Sequence, residues 1–165
     1  MVHSCRFFTS GEEGYHTYRI PSIITTKSGV VLAFCEARKA GRSDAGNIDL
    51  VMKRSTDGGK SWGPMKVIWD DGENTCGNPC PVIDAKTGTL WMLMTHNLGS
   101  DTEFRIVNGT SQKSRTVWIM QSHDDGKTWT KPTEITQHVK KPEWTWYATG
   151  PGVGIQLRSG RLLIP

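Results

Sequence analysis

Ser55-Thr56-Asp57-Gly58-Gly59-Lys60-Ser61-Trp62 returns as Ser122-His123-Asp124-Asp125-Gly126-Lys127-Thr128-Trp129, 67 residues further along the chain. Each octad follows a short β-rich run, Val51-Met52-Lys53-Arg54 or Trp118-Ile119-Met120-Gln121, and each precedes a proline and a further short run. The Asp at the third position can accept backbone N–H bonds across a hairpin turn, a glycine takes the left-handed conformation, and the Trp folds back as an apolar cap. Those roles account for the whole motif, so Asp57 and Asp124 read as braces of hairpins and not as catalytic carboxylates. A several-strand unit repeated at this spacing predicts the blades of a β-propeller.

The rest of the chain agrees with that reading. Seven Trp, 18 Gly and 8 Pro accompany short β-rich runs, and helical periodicity is missing. Strands are expected over residues 18–25, 30–37, 48–55, 65–69, 81–84, 90–96, 116–122, 133–135, 152–157 and 161–164. Turn signals such as Lys27-Ser28-Gly29, Lys86-Thr87-Gly88 and Arg158-Ser159-Gly160 separate them. The expected class is all-β, with about two to three blades of four-stranded antiparallel sheet at roughly 50 residues per blade. Such an open propeller ends on an unpaired strand edge, which predicts that residues 1–165 are the amino-terminal part of a propeller domain whose later blades are absent.

Composition excludes several classes. The longest apolar runs, such as Val30-Val31-Leu32-Ala33-Phe34-Cys35, fall far short of the ~20 residues a membrane helix needs, so no transmembrane segment is expected. The opening Met1-Val2-His3-Ser4-Cys5-Arg6 has no basic region ahead of an apolar core, so no signal peptide is visible; the compartment stays open, with the cytoplasm favoured over secretion. The sequon Asn108-Gly109-Thr110 matters only in a secretory compartment. The net charge of +4 suits an anionic ligand, but the basic residues form no block or stripe, and no nucleic acid is expected. Cys5, Cys35, Cys76 and Cys80 suit buried thiols or one bridge. Cys76-x-x-x-Cys80 lacks a second ligand pair, and no metal is expected.

Three segments can carry chemistry. In Tyr18-Arg19-Ile20-Pro21, the proline cannot donate to a ladder, so the strand is expected to start or end there; Arg19 then either enters a central cavity or lies on a surface edge. Along Phe34-Cys35-Glu36-Ala37-Arg38, Glu36 and Arg38 share one face, and a glycine-containing loop carries Asp44 beyond the strand end. Asp44 there is either a proton-transfer group beside guanidiniums or the acceptor of an Asx turn, with Arg38 paired to Glu36 or Asp49. In Cys76-Gly77-Asn78-Pro79-Cys80-Pro81, Asn78 reads a polar ligand group or simply forms a turn.

Tyr18-Arg19-Ile20-Pro21 combined with two Ser-x-Asp-x-Gly-x-Ser/Thr-Trp octads resembles the exo-α-sialidases, or neuraminidases, whose octad is called the Asp box. Phe34-x-Glu36-x-Arg38, the stretch from Asn78-Pro79-Cys80-Pro81 to Leu90, and Gly150-Pro151-Gly152 with Gln156-Leu157 extend the likeness along nearly the whole chain, particularly toward the cytosolic animal enzymes and bacterial relatives. The resemblance implies a six-bladed propeller that removes terminal sialic acid from glycoproteins, gangliosides or oligosaccharides with net retention, with no cofactor. It also implies an Arg triad for the sugar carboxylate, a Tyr nucleophile paired with Glu, and an Asp acid/base, an exception to the two-carboxylate scheme of most glycosidases.

Carried over by residue, Arg19 matches the first triad Arg and Asp44 the acid/base, with Asp49 in reserve because the loop from Arg38 is one residue longer than in the animal enzymes. Arg38 and Glu36 match the neighbours of the ring hydroxyl at C4, and Asn78 matches the pocket near the N-acetyl group. The nucleophile, its Glu partner and two triad Arg residues belong to later blades; Tyr147 and Glu143 do not match them. The chain alone is therefore expected to be inactive. The other class considered is a noncatalytic module that binds glycans or proteins and uses the octads only as architecture.

Overall fold

Leu32, Phe34, Glu36 and Arg38 point to one side of a strand, and Ala33, Cys35 and Ala37 to the other, because side chains alternate along extended backbone. All seven are buried, so this strand is covered on both faces. It is β2 (Val31–Arg38), the second strand of a meander formed with β1 (Thr17–Thr25), β3 (Ile48–Ser55) and β4 (Lys66–Trp69). A computed structural model describes residues 6–165 of the chain; Cys5 lies outside the described residues.

A second antiparallel meander repeats the first with β5 (Thr75–Ile83), β6 (Leu90–Asn97), β7 (Thr116–Ser122) and β8 (Thr133–Glu134). A parallel bridge from Ile48 to Thr75 joins the two. β9 (Ile155–Gln156) and β10 (Leu162–Leu163) form a separate two-stranded sheet. Against the expectation of no helix, α1 (Glu103–Val107) and α2 (Thr136–Val139) are present. Both are a single turn or little more, too short to show helical periodicity in the sequence.

The proline expectation also needs correction. β1 runs through Pro21, and β5 begins at Thr75, well before residue 81, and runs through Pro79. Each strand carries an irregularity that takes one proline out of the ladder, Pro21 between Arg19 and Ser22 in β1 and Pro79 between Gly77 and Cys80 in β5, while Pro81 stays in register opposite Met92. The residue before each proline is left-handed, Ile20 at φ 55° and Asn78 at φ 51°. Asn tolerates that conformation, whereas a β-branched Ile is strained there by of order 1–3 kcal/mol.

The meanders pack face to face. Leu32, Phe34, Leu50 and Met52 from the first meet Cys76, Leu90, Met92, Met94 and Met120 from the second in one apolar core. The opposite face of the first meander is covered by Tyr15, with Phe8, Tyr18 and Met65 against Cys35, Ala37 and Val51.

The octads brace hairpins as expected. Asp57 Oδ1 accepts from the Ser61 amide at 2.9 Å, its Oδ2 from the Ser61 hydroxyl at 2.6 Å, and Ser55 Oγ accepts from the Gly59 amide at 2.8 Å. Asp124 makes the same bonds with Thr128 at 2.9 and 2.6 Å, and Ser122 Oγ with the Gly126 amide at 2.9 Å. The second octad also ties the meanders together: Arg54 Nε donates to the Asp125 carbonyl at 2.8 Å. A Cβ on Gly126 would stand 3.1 Å from Met52 Sδ and 3.3 Å from Leu32, so that turn sits directly on the first meander.

Candidate functional site

The strand face that holds Leu32 and Phe34 in the core ends in Glu36 and Arg38, so the same alternation that builds the core turns charged at the end of β2. Arg19 is the register partner of Glu36, and the loop after β2 brings Asp44 back over both. Arg19 Nη1 donates to Asp44 Oδ1 at 2.9 Å, and Arg38 Nη2 donates to the same oxygen at 2.7 Å. The Arg19 and Asp44 side chains are 43% and 50% exposed, whereas Arg38 is 2% exposed, so a buried base supports an open pair.

Arg38 is fully engaged. Its Nε donates to Glu36 Oε2 at 3.1 Å, its Nη2 donates to the same oxygen, and its Nη1 donates to the carbonyls of Arg42 and Ser43 at 2.6 and 2.7 Å. Those two carbonyl bonds fix the loop that presents Asp44. The turn inside this loop is closed by the Ser43 hydroxyl, which accepts from the Ala45 amide at 3.2 Å, while Asp44 Oδ1 is held by the two guanidiniums.

Asp49 stands elsewhere. It is the register partner of Ala37, so it faces away from Glu36 and Arg38. There it is 1% exposed and accepts from the Tyr15 hydroxyl at 2.5 Å, with Lys39 Nζ at 3.6 Å. Burial pushes the Asp49 carboxyl up, and Tyr15 and Lys39 oppose that. Burial, together with the hydrogen bond to Asp49, pushes the Tyr15 phenol up as well.

Asn78 enters from the second meander. Its amide donates to Glu36 Oε1 at 2.9 Å and its carbonyl accepts from Thr149 Oγ1 at 2.7 Å. Its side-chain oxygen accepts from Thr95 Oγ1 at 2.9 Å and from Arg115 Nη2. Gly77 is required beside it, because a Cβ there would stand 2.5 Å from Glu36 Oε1. Glu36 therefore joins both halves of the site: one oxygen holds Arg38, and the other holds the Asn78 backbone.

Sequence reading missed Arg115, Asn97, Thr95 and Thr149. Arg115 is 2% exposed, its Nη1 donates to Asn97 Oδ1 at 2.6 Å, and its guanidinium lies 4.1 Å from the Trp146 ring centre. Burial pulls it down to about 10, with the carboxylates of Glu36 and Asp44 opposing, so it stays charged at neutral pH. An Arg at the entry of a β run, as with Arg19, was the one available signal; its partners lie 18 and 37 residues away and meet it only through the sheet register.

The fold and the cluster together define a chain of Asp-box meanders with an arginine and carboxylate site where they meet. Residues 29–165 match the BNR repeat-like domain, and the chain belongs to that family. It is 35% identical to an exo-alpha-sialidase of Aspergillus fumigatus, over 92% of this chain and 41% of that protein. It is also 35% identical to Sialidase-3 of Bos taurus, over 99% of this chain and 41% of that protein. Among solved structures, Hadza microbial sialidase Hz136 is 31% identical with a TM-score of 0.84, over 94% of this chain and 33% of that one. A leech intramolecular trans-sialidase, at 14% identity and a TM-score of 0.81, shares the fold. The resemblance to sialidases read from the motifs is borne out. The chain spans about two fifths of the length of these curated relatives.

Proposed function

We propose that this chain supplies the first part of the site of a retaining exo-α-sialidase built as a six-bladed propeller. The observation that carries the reading is the convergence of Arg19 and Arg38 on one oxygen of Asp44 at an exposed position. Asp44 is the acid/base, because a carboxyl group on a loop fixed by Arg38 can give its proton to a departing glycosidic oxygen and, as the carboxylate so formed, take one back from water. Arg19 meets the carboxylate of a sialoside, since a planar guanidinium matches a planar carboxylate. Arg38 and Glu36 line the position of the C4 hydroxyl, and Asn78 the N-acyl side of the sugar.

The nucleophilic Tyr and its Glu partner are not supplied at this cluster. Among the described residues, Tyr15 is bonded to Asp49 on the other face of the sheet, Tyr18 bonds the Glu12 carbonyl, and Tyr147 stacks on Trp144. The chain alone accordingly binds without turning over, and its substrates in the complete enzyme are sialylated glycoproteins, gangliosides or oligosaccharides.

The test is calorimetric titration of the chain with the α-methyl glycoside of N-acetylneuraminic acid and with the methyl ester of that glycoside. Expected are binding of the acid, at least about tenfold weaker binding of the ester, and loss of that difference in Arg19→Ala. Equal affinity for acid and ester in the unmutated chain would remove Arg19 from carboxylate recognition.

A further inference from the structure

We infer that Arg115 is a positioning residue that fixes which end of the Asn78 amide faces the site, so that the group read there is a hydrogen-bond acceptor on the ligand. The inference rests on the sialoside reading only for the identity of that ligand.

Guanidinium nitrogens donate and cannot accept, so the Asn78 atom that meets Arg115 must be the amide oxygen. Thr95 Oγ1 supplies a second donor to the same oxygen at 2.9 Å. The backbone on either side is pinned by Glu36 at the amide and Thr149 at the carbonyl. Among the described residues, the one polar group of Asn78 without a partner is its side-chain NH2, two donors held in a fixed direction. Arg115 is itself constrained. Asn97 accepts from its Nη1, and the Asn97 amide is oriented in turn by donation to the carbonyls of Leu98 and Asp101, each at 3.0 Å. Lys140 Nζ holds the Arg115 carbonyl at 2.6 Å. Among the described residues, the buried guanidinium hydrogen-bonds only to neutral oxygens, with the Trp146 ring beside it, and its Nε has no hydrogen-bond partner. A buried cation so placed is costly to keep for packing alone, and the orientation of Asn78 is the effect the geometry assigns to it.

The experiment uses the ¹⁵N-labelled chain and reads the Asn78 side-chain NH2 signals, identified by their loss in Asn78→Asp. In the unmutated chain one NH2 pair is expected. Arg115→Met removes the donor that forbids the reversed amide, so the pair broadens or doubles. Affinity for the α-methyl glycoside of N-acetylneuraminic acid falls about tenfold, as for loss of one oriented hydrogen bond. Thr95→Val, which leaves Arg115 in place, keeps the single pair. If Arg115→Met does not fold, Arg115→Lys replaces it, since one ammonium cannot reach both Asn97 and Asn78 as the fork does. A single sharp pair in the folded Arg115 variant overturns the inference whether or not the affinity changes, because the amide then keeps its orientation without Arg115. Broadening of the pair in a chain that binds no sialoside upholds the positioning role and removes the sialoside reading, so the two failures are told apart.

Discussion

Replacing Glu36 by Gln keeps the shape of the side chain and removes the charge that joins the two halves of the site. In the folded chain the carboxylate accepts three bonds: Oε2 from Arg38 Nε and Nη2, and Oε1 from the Asn78 amide. A Gln amide offers one acceptor and one donor, so whichever way it turns, its NH2 meets either the Arg38 guanidinium or the Asn78 N–H. The loss also leaves Arg38 and Arg115, both 2% exposed, with the half-exposed Asp44 as the nearest compensating charge. Breaking one partner out of a buried ion pair costs about 3–5 kcal/mol. For a chain of 165 residues that corresponds to a fall in Tm of roughly 6–20 °C, at about 2–4 °C per kcal/mol. Urea unfolding followed by Trp fluorescence gives the free energy, and scanning calorimetry gives Tm. A loss below about 1 kcal/mol would refute the argument, because it would mean that Arg38 and Asn78 are held without the carboxylate.

Two further predictions follow from titrations. Although burial acts against it, donation from Thr128 and Ser122 holds the Asp124 carboxyl down at about 2. An unfolded Asp titrates at about 3.9, so the brace contributes fully above that value and is lost as the pH falls through about 2. Asp124→Asn should therefore lower stability by about 1 kcal/mol at pH 7, and the gap to the unmutated chain should shrink between pH 4 and 2.5; a gap independent of pH contradicts the bracing role. Burial pushes the Cys35, Cys76 and Cys80 thiols up, Cys80 to about 11, which keeps them protonated. In Cys5→Ser, a disulfide reagent at pH 8 should leave all three unmodified in buffer and titrate three in urea; rapid labelling in buffer would contradict their burial.

What the sequence made legible was whatever depends on neighbours along the chain. The octads close on themselves, each hydrogen bond spanning four residues or fewer, so their bracing role could be read from residue types alone. That Glu36 and Arg38 share a face is legible because alternation puts residues two apart on one side, while the choice of Glu36 over Asp49 as the partner of Arg38 is seen only in the structure. β5 begins at Thr75 and not at residue 81, because an irregularity between Gly77 and Cys80 carries the strand past Pro79, and residue types along the chain do not announce such an irregularity. Separating Asp44 from Asp49 needed the register of β2 on β3, which turns Asp49 to the face covered by Tyr15. The partners of Arg115 are hidden for the same reason: Asn78 and Asn97 reach it from β5 and β6.

The exposed Arg19 and Asp44 pair over buried Arg38 is the proposed site for a sialic-acid carboxylate and its glycosidic bond. The most direct measurement is a crystal structure of the chain soaked with the α-methyl glycoside of N-acetylneuraminic acid. Expected is the sugar carboxylate within hydrogen-bond distance of the Arg19 guanidinium, with the glycosidic oxygen toward Asp44. A sugar bound away from this cluster, or one presenting its hydroxyls to Arg19 with the carboxylate turned to solvent, would contradict it.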